Sequence, residues 1–108
     1  MRAAFGMTGL DFETAVRSQI PILTIVLNNS TMAIEFDHMQ VSHSLYGTRD
    51  LGGNYAEMAK TMGGWSERVH DPADIVPAIQ RAKRITEEGQ AALLEFVETY
   101  HFRFDAQV

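Results

Sequence analysis

Ile22-Leu23-Thr24-Ile25-Val26-Leu27-Asn28-Asn29-Ser30 is the stretch that decides the fold of this 108-residue chain. After Pro21 come six residues that, apart from Thr24, are apolar without alternation, the pattern of a strand buried on both faces of a parallel sheet. The strand is expected from Ile22 to Leu27, central in its sheet, and it runs straight into two carboxamides. Open α/β sheets hold ligands just past the carboxyl ends of their strands, so Asn28 and Asn29 stand where a ligand is expected. Amide oxygens with N–H donors beside them suit a hard cation such as Mg2+ carrying phosphate oxygens. Asn is equally at home in turns and helix caps, so the pair alone leaves both uses open.

Working outward, Thr8 and Asp11 have capping-box spacing, and Leu10, Phe12, Ala15 and Val16 follow, which predicts a first helix from Gly9 to Ser18 that Pro21 cannot continue. Thr31 to Phe36 has the makings of a short helix, whereas Phe36 to Asn54 shows no sustained period and reads as a long loop of the kind that carries function. Asn54 can cap a helix bearing Tyr55, Met58, Ala59 and Met62 on one face, closed by Gly63-Gly64. Trp65 to Val69 reads as a strand. Asp71-Pro72 with Asp74 starts a helix whose core face carries Ile75, Ile79 and Ala82, and Gly89 ends it. Ala92 to Val97 reads as the next strand, and the tail from Thr99 to Val108 alternates Tyr100, Phe102 and Phe104. Helices between strands imply parallel crossovers.

The segment Ala4-Phe5-Gly6-Met7-Thr8-Gly9-Leu10-Asp11-Phe12-Glu13-Thr14-Ala15-Val16-Arg17, then Pro21, then Ile22 to Asn29, resembles the cofactor motif of thiamine-diphosphate-dependent enzymes, especially the acetolactate synthase-like group. In that family the motif opens with Gly-Asp-Gly or Gly-Asp-Ala and closes with Asn-Asn. The closing metal ligand falls on Asn29 and the opening aspartate falls on Arg2, whose guanidinium cannot ligate a cation. The resemblance implies an α/β three-layer sandwich with a mainly parallel sheet. Residues 1–108 would be part of the C-terminal diphosphate domain, with the strand that feeds the first helix lying upstream of Met1. It also implies Mg2+ held by the Asn29 side chain and the Thr31 carbonyl, with Ala4, Phe5 and Met7 near thiamine diphosphate and N–H groups around Ala4 and Phe5 facing phosphate oxygens. The activity implied is decarboxylation of a 2-oxo acid followed by joining to a second carbonyl compound. In the family the glutamate that activates the aminopyrimidine comes from another domain of a partner subunit, so no catalytic residue is assigned here and the chain alone is expected to be inactive. A 2-oxo-acid decarboxylase of the same superfamily is the neighbouring reading. A non-catalytic, self-associating module is the reading from another class, since an unpaired strand edge favours association.

Composition narrows the remaining choices. With 45% hydrophobic residues the chain can build one core, and 14 acidic against 9 basic residues give a net charge of −5, which disfavours nucleic acid. Arg81, Lys83 and Arg84 are followed by Glu87 and Glu88 at helical spacing and read as a solvated face. The chain has no cysteine, which excludes disulfides and thiolate metal sites and fits a cytoplasmic protein. No apolar run approaches the roughly 20 residues that span a bilayer. His38, His43, His70 and His101 have no metal-site spacing, and Met58 and Met62 read as core residues.

Overall fold

The structure, a computed structural model, describes residues 5, 9–30, 40–47 and 52–97. In chain order these form α1 (Asp11–Arg17), β1 (Leu23–Asn28), α2 (Gln40–Tyr46), α3 (Tyr55–Thr61), β2 (Trp65–Val69), a 3-10 turn (Pro72–Asp74), α4 (Ile75–Glu87) and β3 (Ala92–Val97). The three strands form a parallel sheet in the order β1-β3-β2, with Leu23 and Trp65 both opposite Ala92.

The sheet is coated on both faces. On one, Phe12 and Ala15 of α1 and Ala59 of α3 pack with Val26 and Leu93, and Phe5, Val16, Tyr55 and Met62 close around them. On the other, Ala78 and Ala82 of α4 pack with Val69, Ala92 and Leu94. Small residues bring the α4 backbone close to β3. Leu93 and Leu94, buried completely on opposite faces, each contribute roughly 1.5–3 kcal/mol by leaving water. The result is the expected α/β three-layer arrangement around an all-parallel sheet.

Local signals account for the ends of the elements. Asn54 accepts the Glu57 N–H at 3.0 Å and starts α3, while Asp71 accepts the Ala73 N–H at 2.9 Å ahead of Pro72. Gly63 and Gly89, at φ of 93° and 95°, take the left-handed turns beyond α3 and α4.

Several expectations are corrected. Among the described residues the strand at Leu23 is an edge and β3 is central, because β3 alone pairs with two neighbours. The apolar run of β1 is accordingly not buried on both faces: Val26 is buried, but Ile25 and Leu27 remain 41% and 39% exposed, since α4 lies mainly over β3 and β2, with Leu23 the β1 residue packed against that cluster. Within the expected loop from Phe36 to Asn54, residues Gln40–Tyr46 form a helix without a buried residue, too short and one-sided for its period to show in the sequence. Leu10 is exposed at the start of α1 and makes no side-chain cap bond. On α4 the core positions are Ala78 and Ala82, with Ile79 at the margin. The expected helix at Thr31 to Phe36, the Thr8 cap and the tail from Thr99 lie outside the described residues.

Candidate functional site

Because all three strands are parallel, their carboxyl ends share one edge of the sheet, the edge at which β1 delivers Asn28 and Asn29. The two asparagines have different surroundings. Asn28 is the last residue of β1, paired in register with Val97, and is buried; Asn29 follows it, half-buried. The Asn28 carboxamide is committed internally: its Nδ2 donates to Glu95 Oε2 at 2.5 Å, and its Oδ1 accepts the Ser30 N–H at 3.1 Å. That second bond closes a side-chain turn over Asn29 and leaves Ser30 in the left-handed region at φ 59°. The residues alone offered both carboxamides as ligands and the family resemblance put the metal on Asn29; the structure gives the Asn28 carboxamide a structural role.

Glu95 is the residue that sequence reasoning missed. It is fully buried in the central strand, where an unpaired carboxylate would be very costly. Its Oε1 accepts the N–H groups of Tyr55 and Ala56, each at 3.0 Å, and lies 3.4 Å from Arg68 Nε. Asn28 satisfies the other oxygen. One carboxylate therefore joins the end of β1, the first turn of α3 and the outer strand β2. A nearby bond from Ser66 Oγ to the Ala56 carbonyl, 2.5 Å long, ties α3 to β2 a second time. The signal available in sequence was the single acid within Leu93-Leu94-Glu95-Phe96, a charge in the middle of an apolar strand.

The other sequence candidates fall as follows. Phe5 is half-buried; its ring meets Tyr55 edge-on at 5.1 Å and 81°, and it borders a cleft of about 190 Å3 shared with Phe12, Ile22 and Thr24 beside the amino half of β1. Ala4, Met7 and Thr31 lie outside the described residues. His43 is half-buried on α2 and His70 is exposed after β2, while His38 and His101 are outside the described residues. Among the described residues no three His, Cys, Asp or Glu side chains gather as a metal site, and no helix is long and apolar enough to cross a membrane.

A larger cleft of about 370 Å3 opens at the β2 edge between Arg68, His70, Asp71 and Arg81. Its cations are already engaged. Arg81 meets Glu67 through Nε at 3.0 Å and Nη2 at 2.7 Å, a hydrogen-bonded pair that raises the guanidinium above its ordinary range, and Arg68 faces Glu95.

Comparison with known proteins agrees with this fold. Acetolactate synthase large subunit IlvG of Mycobacterium tuberculosis is 31% identical over 81 residues, covering 73% of this chain and 15% of that protein. Sulfoacetaldehyde acetyltransferase of Alcaligenes xylosoxydans xylosoxydans is 31% identical over 113 residues, covering 95% of this chain and 18% of that protein. A putative thiamine pyrophosphate-containing protein of Bacillus subtilis, YdaP, is 29% identical over 79 residues, covering 72% of this chain and 14% of that protein. The chain thus spans less than a fifth of the length of these curated relatives. Residues 3–96 match the family model of the thiamine pyrophosphate enzyme C-terminal TPP binding domain, and the chain belongs to that family.

Proposed function

We propose that this chain forms the diphosphate-binding half of a thiamine-diphosphate- and Mg2+-dependent enzyme acting on 2-oxo acids, with acetolactate synthase-like carboligation after decarboxylation. The observation that carries the reading is the end of β1. There Asn28 is locked beneath the turn and Asn29 stands next in line at the carboxyl edge of a parallel sheet.

The donor set fits the metal in part. Asn29 has the neutral oxygen a hard cation takes, and the Thr31 carbonyl completes the chain's own contribution on the family pattern. Arg2 at the aspartate position does not fit, because a guanidinium has no acceptor and repels a cation. The residues present therefore supply an incomplete cradle.

Thiamine diphosphate, when bound, supplies the carbon nucleophile and electron sink that such reactions require. This chain's own part is to hold and orient. Asn29 would hold the metal against the diphosphate, the Asn28–Ser30 turn would fix the approach, and Phe5 would buttress Tyr55 at the start of α3. The aminopyrimidine end needs a carboxylate from another domain, so these residues alone are catalytically inactive. We also propose that copies of the chain associate. Ile20 and Ile22 just before β1 and Ile25 and Leu27 on it are exposed, and the outer edge of β1 has no partner strand among the described residues.

Calorimetric titration with thiamine diphosphate and Mg2+ tests the reading. The chain itself should give no heat at micromolar cofactor, and Arg2→Asp should add a Mg2+-dependent site that binds at least about tenfold more tightly, the scale of one charge-assisted ligand. An Arg2→Asp chain no better than its parent would sink the diphosphate reading.

A further inference from the structure

We propose that Glu95 is a positioning residue for Asn29: its buried carboxylate holds the Asn28 carboxamide in the one orientation that closes the turn onto Ser30 and registers that turn against α3. The proposal rests on the diphosphate reading for what Asn29 binds, and on the hydrogen-bond geometry alone for how Asn29 is placed.

The argument follows from donors and acceptors. An ionised carboxylate only accepts, and Glu95 meets donors alone: Tyr55 N, Ala56 N and Arg68 Nε at Oε1, and Asn28 Nδ2 at Oε2. Because Oε2 requires a donor, the amide nitrogen of Asn28 must face Glu95, and its oxygen must then face Ser30 N–H. Flipping the carboxamide would set oxygen against carboxylate and nitrogen against N–H, two repulsive contacts in a buried site. The charge of Glu95 therefore decides which way Asn28 points. That orientation in turn draws Ser30 back over Asn29. The same carboxylate caps the first N–H groups of α3, so the turn and the helix are indexed to one another through a single group.

Replacing the carboxylate by an amide separates this role from simple space filling. In Glu95→Gln the carbonyl oxygen is retained at Oε1 by Tyr55 and Ala56, which leaves an NH2 facing the NH2 of Asn28. Either that contact is repulsive or Asn28 flips and loses Ser30; α3 keeps its cap in both cases. Asn28→Asp alone puts two carboxylates face to face. The double variant Asn28→Asp/Glu95→Gln restores the match: the new amide on β3 donates to the new carboxylate at the end of β1, whose other oxygen still accepts the Ser30 N–H. A residue that only filled volume would show no such reciprocity.

Amide hydrogen exchange and thermal melting on the four chains read the prediction. In Glu95→Gln, exchange at Ser30 should rise on the order of tenfold, the loss of one net hydrogen bond, while Tyr55 and Ala56 change little. The double variant should bring Ser30 back near its parent value and melt above either single variant. Unchanged exchange at Ser30 in Glu95→Gln, or a double variant no better than the singles, overturns the proposal. Should Glu95→Gln fail to fold, the double variant carries the test: recovery of a folded chain supports the proposal and continued unfolding overturns it. Titration of thiamine diphosphate with Mg2+ into Arg2→Asp and Arg2→Asp/Glu95→Gln supplies the functional arm, with binding on the order of tenfold weaker expected in the second. Equal affinity overturns the positioning role. No binding to Arg2→Asp is a failure of the diphosphate reading, and the exchange data then decide the role of Glu95 by themselves.

Discussion

Arg68 and Glu95 stand directly opposite each other on adjacent strands, 3.4 Å apart between Nε and Oε1, with the carboxylate wholly buried and the guanidinium about a third exposed. The pair bridges the sheet interior and its margin, and Arg68 supplies the only full positive charge that meets Glu95 among the described residues. Arg68→Ala should therefore destabilise the chain by about 1–3 kcal/mol, less than a fully buried pair because the backbone N–H groups of α3 remain. Urea denaturation measures the loss. The solvent-facing pair Lys83–Glu87, 3.9 Å apart, should give well under about 1 kcal/mol in the same experiment and vanish in high salt.

Asn29 distinguishes ligation from capping. In an Arg2→Asp background, Asn29→Ala should remove Mg2+-dependent cofactor binding while leaving the melting temperature nearly unchanged. A cap would behave in the opposite way, with stability lowered by about 1 kcal/mol and cofactor affinity intact. Titration beside thermal melting on the same two proteins reads both quantities.

Ala82 is completely buried where α4 rests on Leu94 and Ala92. A leucine there must push the helix off the sheet, and Ala82→Leu should cost about 1–3 kcal/mol in chemical denaturation. The exposed neighbour Lys83 changed to Leu should shift stability by less than about 0.5 kcal/mol.

Self-association should depend on the uncovered face of β1. Ile25→Lys places a charge on that face without touching Val26 or the Glu95 network, and it should move the chain toward monomer in sedimentation velocity. A parent chain that sediments as a monomer at high concentration would remove the proposal of association.

Much of the fold was legible because its signals are local. Trp65–Val69 and Ala92–Val97 have the expected bounds, Asn54 caps α3 as its spacing implies, and Asp71-Pro72 opens the turn before α4. What sequence could not carry was sheet order. Ile22 to Leu27 is as apolar as a central strand, yet among the described residues it lies at an edge, because burial depends on which neighbours pack there and not on the run itself. The site divided in the same manner. Asn29 was singled out from the Asn-Asn pair at the end of a strand, a short-range pattern. Glu95 was not, because its partners Asn28 and Tyr55 are 67 and 40 positions away and only the folded register brings them together. Its one sequence trace, an acid flanked by Leu93, Leu94 and Phe96, looks like an ordinary strand residue until the sheet is known to be covered on both faces.

The place of β3 in the middle of the sheet has a consequence for how the chain is made. Among the described residues both of its neighbours precede it in sequence, so the β1–β3 and β2–β3 ladders cannot form until Ala92–Val97 has appeared. The helices can form early from local contacts, but the sheet, the Glu95 carboxylate and the seating of Asn28 all arrive together with that final strand. Until then the register that seats Asn28 beside Glu95 cannot form.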